Sequence, residues 1–248
     1  MNYVLIDGSY FIFHRFYALR RWWKFAKKEQ EFNPESEEFV DKYKHTFNSK
    51  LLEINKKLKL KKTNTSIIVA KDCPRKDIWR NRLVDNYKDG RASTPEIKPF
   101  FEMAYNELFT ADAGIDGMLF HPHLEADDCI ALKTNQLRQD NDNNIWIITN
   151  DKDYLQLKGD NVKIITPQYK EIVSSNEPKM DLFCKIVLGD KSDNISPVFD
   201  RCGIKTAIKY YNNMDLFQER LKKENKEDKY KLNQQLISFE HIPSEYTI

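Results

Sequence analysis

The stretch Tyr3-Val4-Leu5-Ile6-Asp7 decides the fold, because it is a short apolar run that ends in an acid and this arrangement recurs. Further short apolar runs occupy 66–70, 116–120, 145–149 and 162–165. Longer charged stretches with helical spacing separate them, and strands that alternate with helices are typical of a parallel sheet covered on both faces. The sequence therefore predicts an α/β fold with a mostly parallel central sheet flanked by helices.

Acidic residues follow four of the five predicted strands, at the points where the strands end. They are Asp7, Asp72, the group Glu125, Asp127 and Asp128, and the pair Asp151 and Asp153. Ligands of parallel α/β sheets bind outside the carboxyl ends of the strands, so we expect these acids at one edge of one sheet. Any one of them could instead cap the helix that follows. Chance placement after four strands, with several acids after two of them, is a weaker explanation.

A cluster of this size predicts bound cations. Carboxylates that share a cleft raise one another's pKa and lose hydration, and divalent cations remove this conflict. All the candidate ligands are oxygens, with no His or Cys at metal spacing, which indicates Mg²⁺ or Mn²⁺. Asp190 and Asp193 add a further pair of acids. The pattern suits phosphoryl transfer by two metal ions, which stabilise the attacking and leaving oxygens of an in-line displacement.

The composition restricts the class of protein. The chain has 248 residues, with 40 Lys and Arg against 38 Asp and Glu. Once the nine cleft acids are set aside, 40 basic residues face 29 acids, which predicts a basic surface around an acidic cleft. Four widely spaced cysteines predict free thiols in a reducing compartment. No apolar run is long enough for a membrane span, and the early acid Asp7 argues against a signal peptide.

Five segments of the chain together carry a family resemblance. They are Leu5-Ile6-Asp7-Gly8-Ser9, Tyr87-Lys88-Asp89-Gly90-Arg91, Glu125-Ala126-Asp127-Asp128, Asp151-Lys152-Asp153-Tyr154-Leu155-Gln156-Leu157 and Gly189-Asp190-Lys191-Ser192-Asp193-Asn194-Ile195. With them the chain resembles the 5′→3′ exonuclease and flap endonuclease family of PIN-like 5′-nucleases, which includes bacteriophage RNase H and the 5′-nucleases associated with bacterial polymerases. The last three segments are specific together, and the resemblance spans roughly residues 3–211.

The resemblance assigns the acids to two metal ions, Mg²⁺ or Mn²⁺. The ligands of the tighter metal pair are Asp7, Asp72, Glu125, Asp127 and Asp151, with Asp128 and Asp153 completing the inner shell. Asp190 and Asp193 resemble the outer acids that serve the second ion. The implied activity is metal-dependent hydrolysis of phosphodiester bonds.

The resemblance also assigns the basic stretch before the third strand. Lys88 and Arg91 stand where family members contact the scissile phosphate, and Tyr87 stands where an aromatic ring stacks on a base. Residues from about 72 to 112 would form a helical arch or clamp around a single strand, with nucleic-acid contacts from Arg75, Lys76 and Arg80. Because 92–99 is short and holds two prolines, an open clamp is as consistent with the sequence as a closed arch.

The C-terminal part resembles the family's duplex-binding helix–turn–helix, G-[IV]-G-x-K-T-A. The residues that match or replace it and are expected to contact DNA are Arg201, Gly203, Lys205 and Thr206. Arg201 replaces the first glycine, which weakens the expectation of a bound K⁺ ion more than that of backbone contacts. The predicted division is a catalytic domain at 1–176 and a helical duplex-binding subdomain at 177–248.

These observations predict a structure-specific 5′→3′ exonuclease and 5′-flap endonuclease that acts in DNA replication, repair or recombination. Its substrates would be DNA with a free 5′ end, such as a nick, a gap, a flap or an RNA-primed fragment. The expected state is a monomer in the cytoplasm or a viral replication compartment, with a polymerase or single-strand-binding protein as a candidate partner. A non-catalytic DNA-binding module, and an RNase or phosphatase that reuses the acidic cleft, remain alternatives.

Overall fold

The computed structural model describes residues 1–28, 31–91, 94–174 and 177–248. Five parallel strands form one sheet in the order β3-β2-β1-β4-β5. The strands are β1 (Asn2–Asp7), β2 (Thr65–Ala70), β3 (Gly117–Leu119), β4 (Asn144–Ile148) and β5 (Val162–Ile165). Tyr3 of β1 lies opposite Ser66 on one side and Ile145 on the other. The predicted parallel sheet is therefore confirmed, with every predicted strand present.

Alternate residues of β1 enter two different cores, one on each face of the sheet. Val4 and Ile6 pack in one core with the first helices of the chain, whereas Leu5 packs in the other. All three side chains are fully buried. A strand that is apolar on both faces can lie only in the interior of a sheet with both faces covered. This burial places β1, and the acid at its end, in the middle of the molecule.

Helices cover both faces of the sheet. The helices before β3 are α1 (Gly8–Ala26), α2 (Glu37–Leu52), α3 (Ile54–Lys57) and α4 (Lys98–Met103); after it come α5 (Ala126–Leu137), α6 (Pro178–Leu188), α7 (Ile204–Asn212), α8 (Met214–Lys223) and α9 (Glu227–Ile237). Aromatic residues of α1 and α2, among them Phe16 and Phe39, fill the first core. The second core packs against α5.

The helical arch or clamp expected at about 72–112 takes a different form in the described residues. The segment contains short 3-10 turns at Arg75–Asp77 and Trp79–Arg82, the six residues of α4 and a π-helical turn at Ala104–Leu108. Arg80 and Tyr87 are buried and hydrogen-bonded to acids, so this part of the chain packs onto the body of the protein. Ala92 and Ser93 lie outside the described residues, and both the closed arch and the open clamp stay predictions.

The C-terminal helices share a core of their own. Side chains of α6, α7 and α8, including Phe183, Tyr210 and Phe217, pack together there. The chain then returns to the sheet, because Phe239 and Tyr246 pack in the core on the α5 side. The predicted boundary at 176/177 adjoins Ser175 and Asn176, which lie outside the described residues, and the two-part division stays a prediction.

The cysteines and the hydropathy of the helices both bear on predictions made from composition. All four cysteines are free, and three of them are buried. Among the described residues, the structure has no helix that is both long enough and apolar enough to cross a membrane.

Candidate active site

A cleft of about 390 Å³ lies at the carboxyl ends of the strands, where the sequence predicts it. Eight of the nine predicted ligands line it: Asp7, Asp72, Glu125, Asp127, Asp151, Asp153, Asp190 and Asp193. Parallel strands deliver the first acids to one edge, and the loop after α6 contributes the last two. Residues far apart in the sequence are thus brought together by the sheet.

Local backbone geometry fixes the orientation of the cleft acids. Asp7 caps α1, and its Oδ1 accepts a hydrogen bond from the Tyr10 amide at 2.9 Å. Its Oδ2 accepts bonds from Thr149 and Tyr154 at 3.3 and 3.2 Å. The Oδ1 of Asp72 accepts from the Ala126 amide at 2.8 Å. Capping and ligation are therefore compatible roles, because the cap employs one oxygen and holds the carboxylate towards the cleft.

Three of the cleft acids, Asp7, Asp72 and Asp127, resist ionisation. Burial and the nearby charge of Asp72 raise the pKa of Asp7 from 3.8 to about 7. Burial, followed by repulsion from Glu125, also raises the pKa of Asp72 and of Asp127. Each shift measures how poorly the cleft tolerates one more negative charge. A cation bound among these oxygens would reverse this penalty.

The two predicted phosphate-contacting residues reach the cleft and pair with its acids. Lys88 donates to Oε1 of Glu125 and lies 3.7 Å from Asp193, and only 8 % of the residue is exposed. Arg91 donates to Asp193 and is exposed. Both cations therefore lie at oxygens of predicted metal ligands, from which a phosphate oxygen would have to attract them.

Lys185 is a cleft residue that sequence reasoning missed. It projects from α6, and its Nζ donates to both oxygens of Asp153 and lies 2.8 Å from Oδ2 of Asp190. Although burial opposes it, hydrogen bonds from Lys185 and Ser192 lower the pKa of Asp190 to about 2. A lysine inside an amphipathic helix carries no motif, so only its position five residues before Asp190 could have suggested it.

Asp128, which the sequence predicts in the inner metal shell, is held by protein donors in this structure. Its acceptor oxygens lie within 4.8 Å of those of Glu125 and Asp127, yet it does not line the cleft and is fully buried. Arg80 donates to both of its oxygens at 2.7 Å, and Trp79 Nε1 donates at 3.0 Å. Asp128 is therefore the bidentate partner of buried Arg80, and its place in the inner metal shell stays a prediction.

Arg80, which the sequence predicts to contact nucleic acid, is a buried anchor in this structure. Only 2 % of the residue is exposed, and its Nε donates to the Leu236 carbonyl at 2.9 Å. Its Nη1 also donates to Oε2 of Glu125 at 3.0 Å. Arg80 thereby connects α9 to a cleft carboxylate. The other basic residues predicted with it differ, since Arg75 lines the cleft and Lys76 is exposed.

Tyr87 is not available to stack on a base as predicted. Its ring is buried, and its hydroxyl donates to Oε2 of Glu125 at 3.0 Å. Tyr87 therefore helps to hold Glu125, which accepts hydrogen bonds from Tyr87, Arg80 and Lys88.

The expected duplex-contacting residues stand at the start of α7. Gly203 caps this helix, and a Cβ at that position would meet nothing within 4 Å. Arg201, Gly203 and Lys205 are exposed, and Thr206 is half-buried. Arg201 has a φ of +56°, a conformation that glycine adopts without cost. This backbone conformation suits the glycine that the family pattern has at this position, which arginine occupies here.

The donor set of the cleft fits divalent cations. Eight carboxylates and four cationic side chains line it, the cations being Arg75, Lys88, Arg91 and Lys185. Fully ionised, these described residues would leave four negative charges without a counter-charge. All the acidic ligands are hard oxygen donors, which suits Mg²⁺ or Mn²⁺.

The chain matches a known protein family over most of its length. Residues 2–182 match the family described as 5′-3′ exonuclease, N-terminal resolvase-like domain. The 5′-3′ exonuclease of Buchnera aphidicola subsp. Acyrthosiphon pisum is 34% identical over 155 residues, 57% of this chain and 51% of that protein. The Ribonuclease H of Enterobacteria phage T4 is 30% identical over 202 residues, 72% of this chain and 66% of that protein. The chain thus spans about half the length of the Buchnera relative.

Solved structures show the same fold. The T5 5′-exonuclease with bound zinc ions has a TM-score of 0.67 at 17% identity, covering 96% of this chain and 90% of that one. The bacteriophage T5 flap endonuclease, in a pseudo-enzyme-product complex with DNA and metal ions, has a TM-score of 0.65 at 17% identity. That comparison covers 96% of this chain and 89% of the other.

Proposed function

The chain belongs to the 5′-3′ exonuclease family, and from this premise we propose that it is a divalent-metal-dependent 5′→3′ exonuclease and 5′-flap endonuclease. Its substrate would be DNA with a free 5′ end at a nick, gap or flap. The observation that carries the proposal is the cleft, where eight carboxylates meet four cations. The four remaining negative charges would be balanced by the four positive charges of two divalent ions.

The ligands fall into two groups by their surroundings. Asp7, Asp72, Asp127 and Asp151 line the cleft, and within the described residues none of them accepts a hydrogen bond from a Lys or Arg side chain. Glu125 joins them while paired with Lys88. Asp153 and Asp190 are bridged by Lys185, and Asp193 pairs with Arg91. We assign the first group to the tighter site and the second to the weaker one. When bound, the ions would supply an activated water and offset charge on the attacking and leaving oxygens.

The protein's own cations would position the substrate phosphate. Lys88 and Arg91 lie on one side of the cleft, held by Glu125 and Asp193. A phosphate between them would offer oxygens that compete for these donors, and fixed cations stabilise the charge that develops on phosphate oxygens. Tyr87 and Arg80 would contribute by fixing Glu125, through the hydrogen bonds that they donate to its Oε2.

The start of α7 is the proposed contact for the duplex. Exposed Gly203 lets a phosphate approach the first amides of the helix, whose dipole favours negative charge. Arg201, Lys205 and Thr206 would add side-chain contacts that position the duplex without reading its sequence. A K⁺ ion at this turn, a monomeric state, a cytoplasmic location and a polymerase or single-strand-binding partner remain predictions.

One comparison favours a second substrate for the same site. The relative from phage T4 is named a Ribonuclease H and aligns with 72% of this chain. We therefore include hydrolysis of RNA paired with DNA, as in an RNA-primed fragment, within the proposed function. Neither substrate requires a different cleft, because both present a phosphodiester next to a free 5′ end.

The test is a cleavage assay with three synthetic substrates labelled at the 5′ end: a DNA flap, a recessed duplex and an RNA–DNA hybrid. Wild-type protein with Mg²⁺ should cleave them, whereas Asp7→Asn and Asp151→Asn should reduce the rate by several orders of magnitude while DNA binding persists. Asp160→Asn, an exposed acid outside the cleft, is the matched control. Undiminished cleavage in either cleft variant, or no cleavage by wild-type protein, would contradict the proposal. A phosphomonoester and single-stranded RNA test the phosphatase and RNase alternatives.

A further inference from the structure

The turn that carries the two phosphate-contacting cations is fastened to the loop that carries the last two cleft acids. We call residues 86–91 the phosphate turn and residues 189–195 the acid loop. Hydrogen bonds to backbone carbonyls join the two segments: Asn194 Nδ2 donates to Asn86 at 2.9 Å, the Lys88 amide to Asp193 at 3.0 Å and Arg91 Nε to Ser192 at 3.1 Å. The acid loop therefore holds the turn from its first residue to its last.

The backbone of Lys88 has a conformation that lysine does not favour. Its φ is +57°, and it is the third residue of a turn closed by a hydrogen bond of 3.1 Å from the Asp89 amide to the Asn86 carbonyl. A positive φ at this turn position favours glycine or asparagine. Such strain persists only where the surrounding structure enforces it, and here the bond from the Lys88 amide to the acid loop does so.

The acid loop has the internal bonds that a fixed partner needs. Asp190 and Ile195 exchange backbone hydrogen bonds of 2.9 and 2.8 Å, which close the loop. Gly189 fits tightly against it, because a Cβ there would clash with the Ile195 carbonyl oxygen. Just beyond the loop, the fully buried Asn233 of α9 donates to the Ser196 carbonyl at 3.0 Å. The loop is thus anchored to the C-terminal helices, and the phosphate turn depends on it.

Asn194 joins the two segments at the carbonyl that closes the turn. Its backbone is left-handed, with a φ of 62° and a ψ of 30°, a conformation that asparagine adopts more readily than most residues. From there its side-chain amide reaches the Asn86 carbonyl, which also accepts the Asp89 amide. Asn194 does not line the cleft, so any effect that it has on the chemistry must pass through the turn.

We propose that Asn194 is a positioning residue, which sets the place of the Lys88 ammonium by holding the phosphate turn on the acid loop. This inference rests on the proposed function, in which Lys88 stabilises charge on the scissile phosphate. Without the Asn194 side chain, the Asn86 carbonyl loses a donor and the strained backbone at Lys88 is free to relax. A displacement of about 1 Å at a reacting centre is enough to slow a reaction by about 100-fold.

The test compares Asn194→Gly with wild-type protein on a synthetic DNA 5′-flap. Glycine accepts the positive φ and removes only the side-chain bond. Single-turnover cleavage with Mg²⁺ should slow by about 10- to 100-fold, while flap affinity in Ca²⁺, Mg²⁺ affinity and Tm stay near wild type. Asn194→Asp, which has a similar shape but no N–H donor, should lose at least as much activity. Asn225→Gly is the matched control, because exposed Asn225 has a φ of +51° and its side chain makes no hydrogen bond within the described residues.

A double-mutant cycle shows whether the effect passes through Lys88. Adding Asn194→Gly to Lys88→Ala should slow cleavage by less than about twofold further, because the group to be positioned is already gone. A full multiplicative loss in the double variant, an unchanged rate in Asn194→Gly, or an equal loss of flap affinity would overturn the inference although wild-type cleavage upholds the proposed function. If wild-type protein does not cleave the flap, the proposed function fails and this inference fails with it.

Discussion

Replacing Asp128 by Asn should lower the free energy of unfolding substantially, whereas the same change at its neighbour Asp127 should not. Asp128 is fully buried, and Arg80 donates to both of its oxygens at 2.7 Å. The asparagine has nearly the same volume, but its amide group would place N–H donors against those of Arg80. Among the described residues, Glu125 would then be the remaining counter-charge of a buried guanidinium. Removing one partner of such a pair costs about 3–5 kcal/mol.

This loss is large compared with the total stability of a domain. Domains of this size lose about 2–4 °C in Tm per kcal/mol, so Asp128→Asn should lower Tm by about 6–20 °C. Asp127 is the matched control, because it lines the cleft and its pKa is raised by burial and by Glu125. Asp127→Asn removes a repelling charge, so the metal-free protein should have an unchanged or higher Tm.

The assay is thermal unfolding followed by circular dichroism in EDTA, combined with calorimetric titration of Mg²⁺ at a temperature where both variants are folded. We expect Asp128→Asn to lose stability and Asp127→Asn to lose metal affinity. The reasoning would be refuted if Asp128→Asn kept the wild-type Tm and lost Mg²⁺ binding instead. That result would return Asp128 to the inner metal shell and would mean that Arg80 has another partner.

Three further predictions concern the cleft and the start of α7. In metal-free protein the free energy of unfolding should fall as pH rises from about 4 to about 7, because folded Asp7 keeps a proton that the unfolded chain has released. Chemical denaturation at several pH values checks this, and Asp7→Asn should flatten the dependence of the unfolding free energy on pH. Lys185→Met should strengthen Mg²⁺ binding by about tenfold or more in calorimetry, since a unit positive charge near the ion is removed, while the exposed control Lys191→Met should not. Equal Mg²⁺ affinities of Lys185→Met and wild-type protein would show that Lys185 does not oppose the weaker ion. Arg201→Gly should raise the free energy of unfolding by about 0.5–1 kcal/mol because φ is positive there, whereas Arg201→Ala, which keeps the backbone strain, should not. A gain in stability in both variants would assign the effect to loss of the arginine charge.

The fold followed from periodicity, since each strand is a short apolar run. Such runs are detectable locally because burial on both faces of a parallel sheet removes the need for polar positions. The strand ends also predicted the position of six cleft acids, because parallel topology brings carboxyl ends together at one edge, whereas the last two acids come from the loop after α6.

The sequence could not distinguish residues of the same charge whose side chains point in different directions. Asp127 and Asp128 are neighbours, yet one lines the cleft and the other faces Arg80, since successive helical residues point about 100° apart. Likewise, Arg80 belongs to a basic stretch that predicts DNA contact, but it is buried against the Leu236 carbonyl, 156 residues away in the chain.

By itself, then, the sequence determined the sheet, the acid-lined edge and the family, because these depend on local patterns and on strand order. Tertiary structure alone decided which charges meet. It buried Arg80, Asp128 and Tyr87 beside the cleft and brought Lys185 between Asp153 and Asp190. The physical reason is that ion pairing and stacking depend on distances of a few ångströms between segments far apart in the chain, which no local pattern encodes.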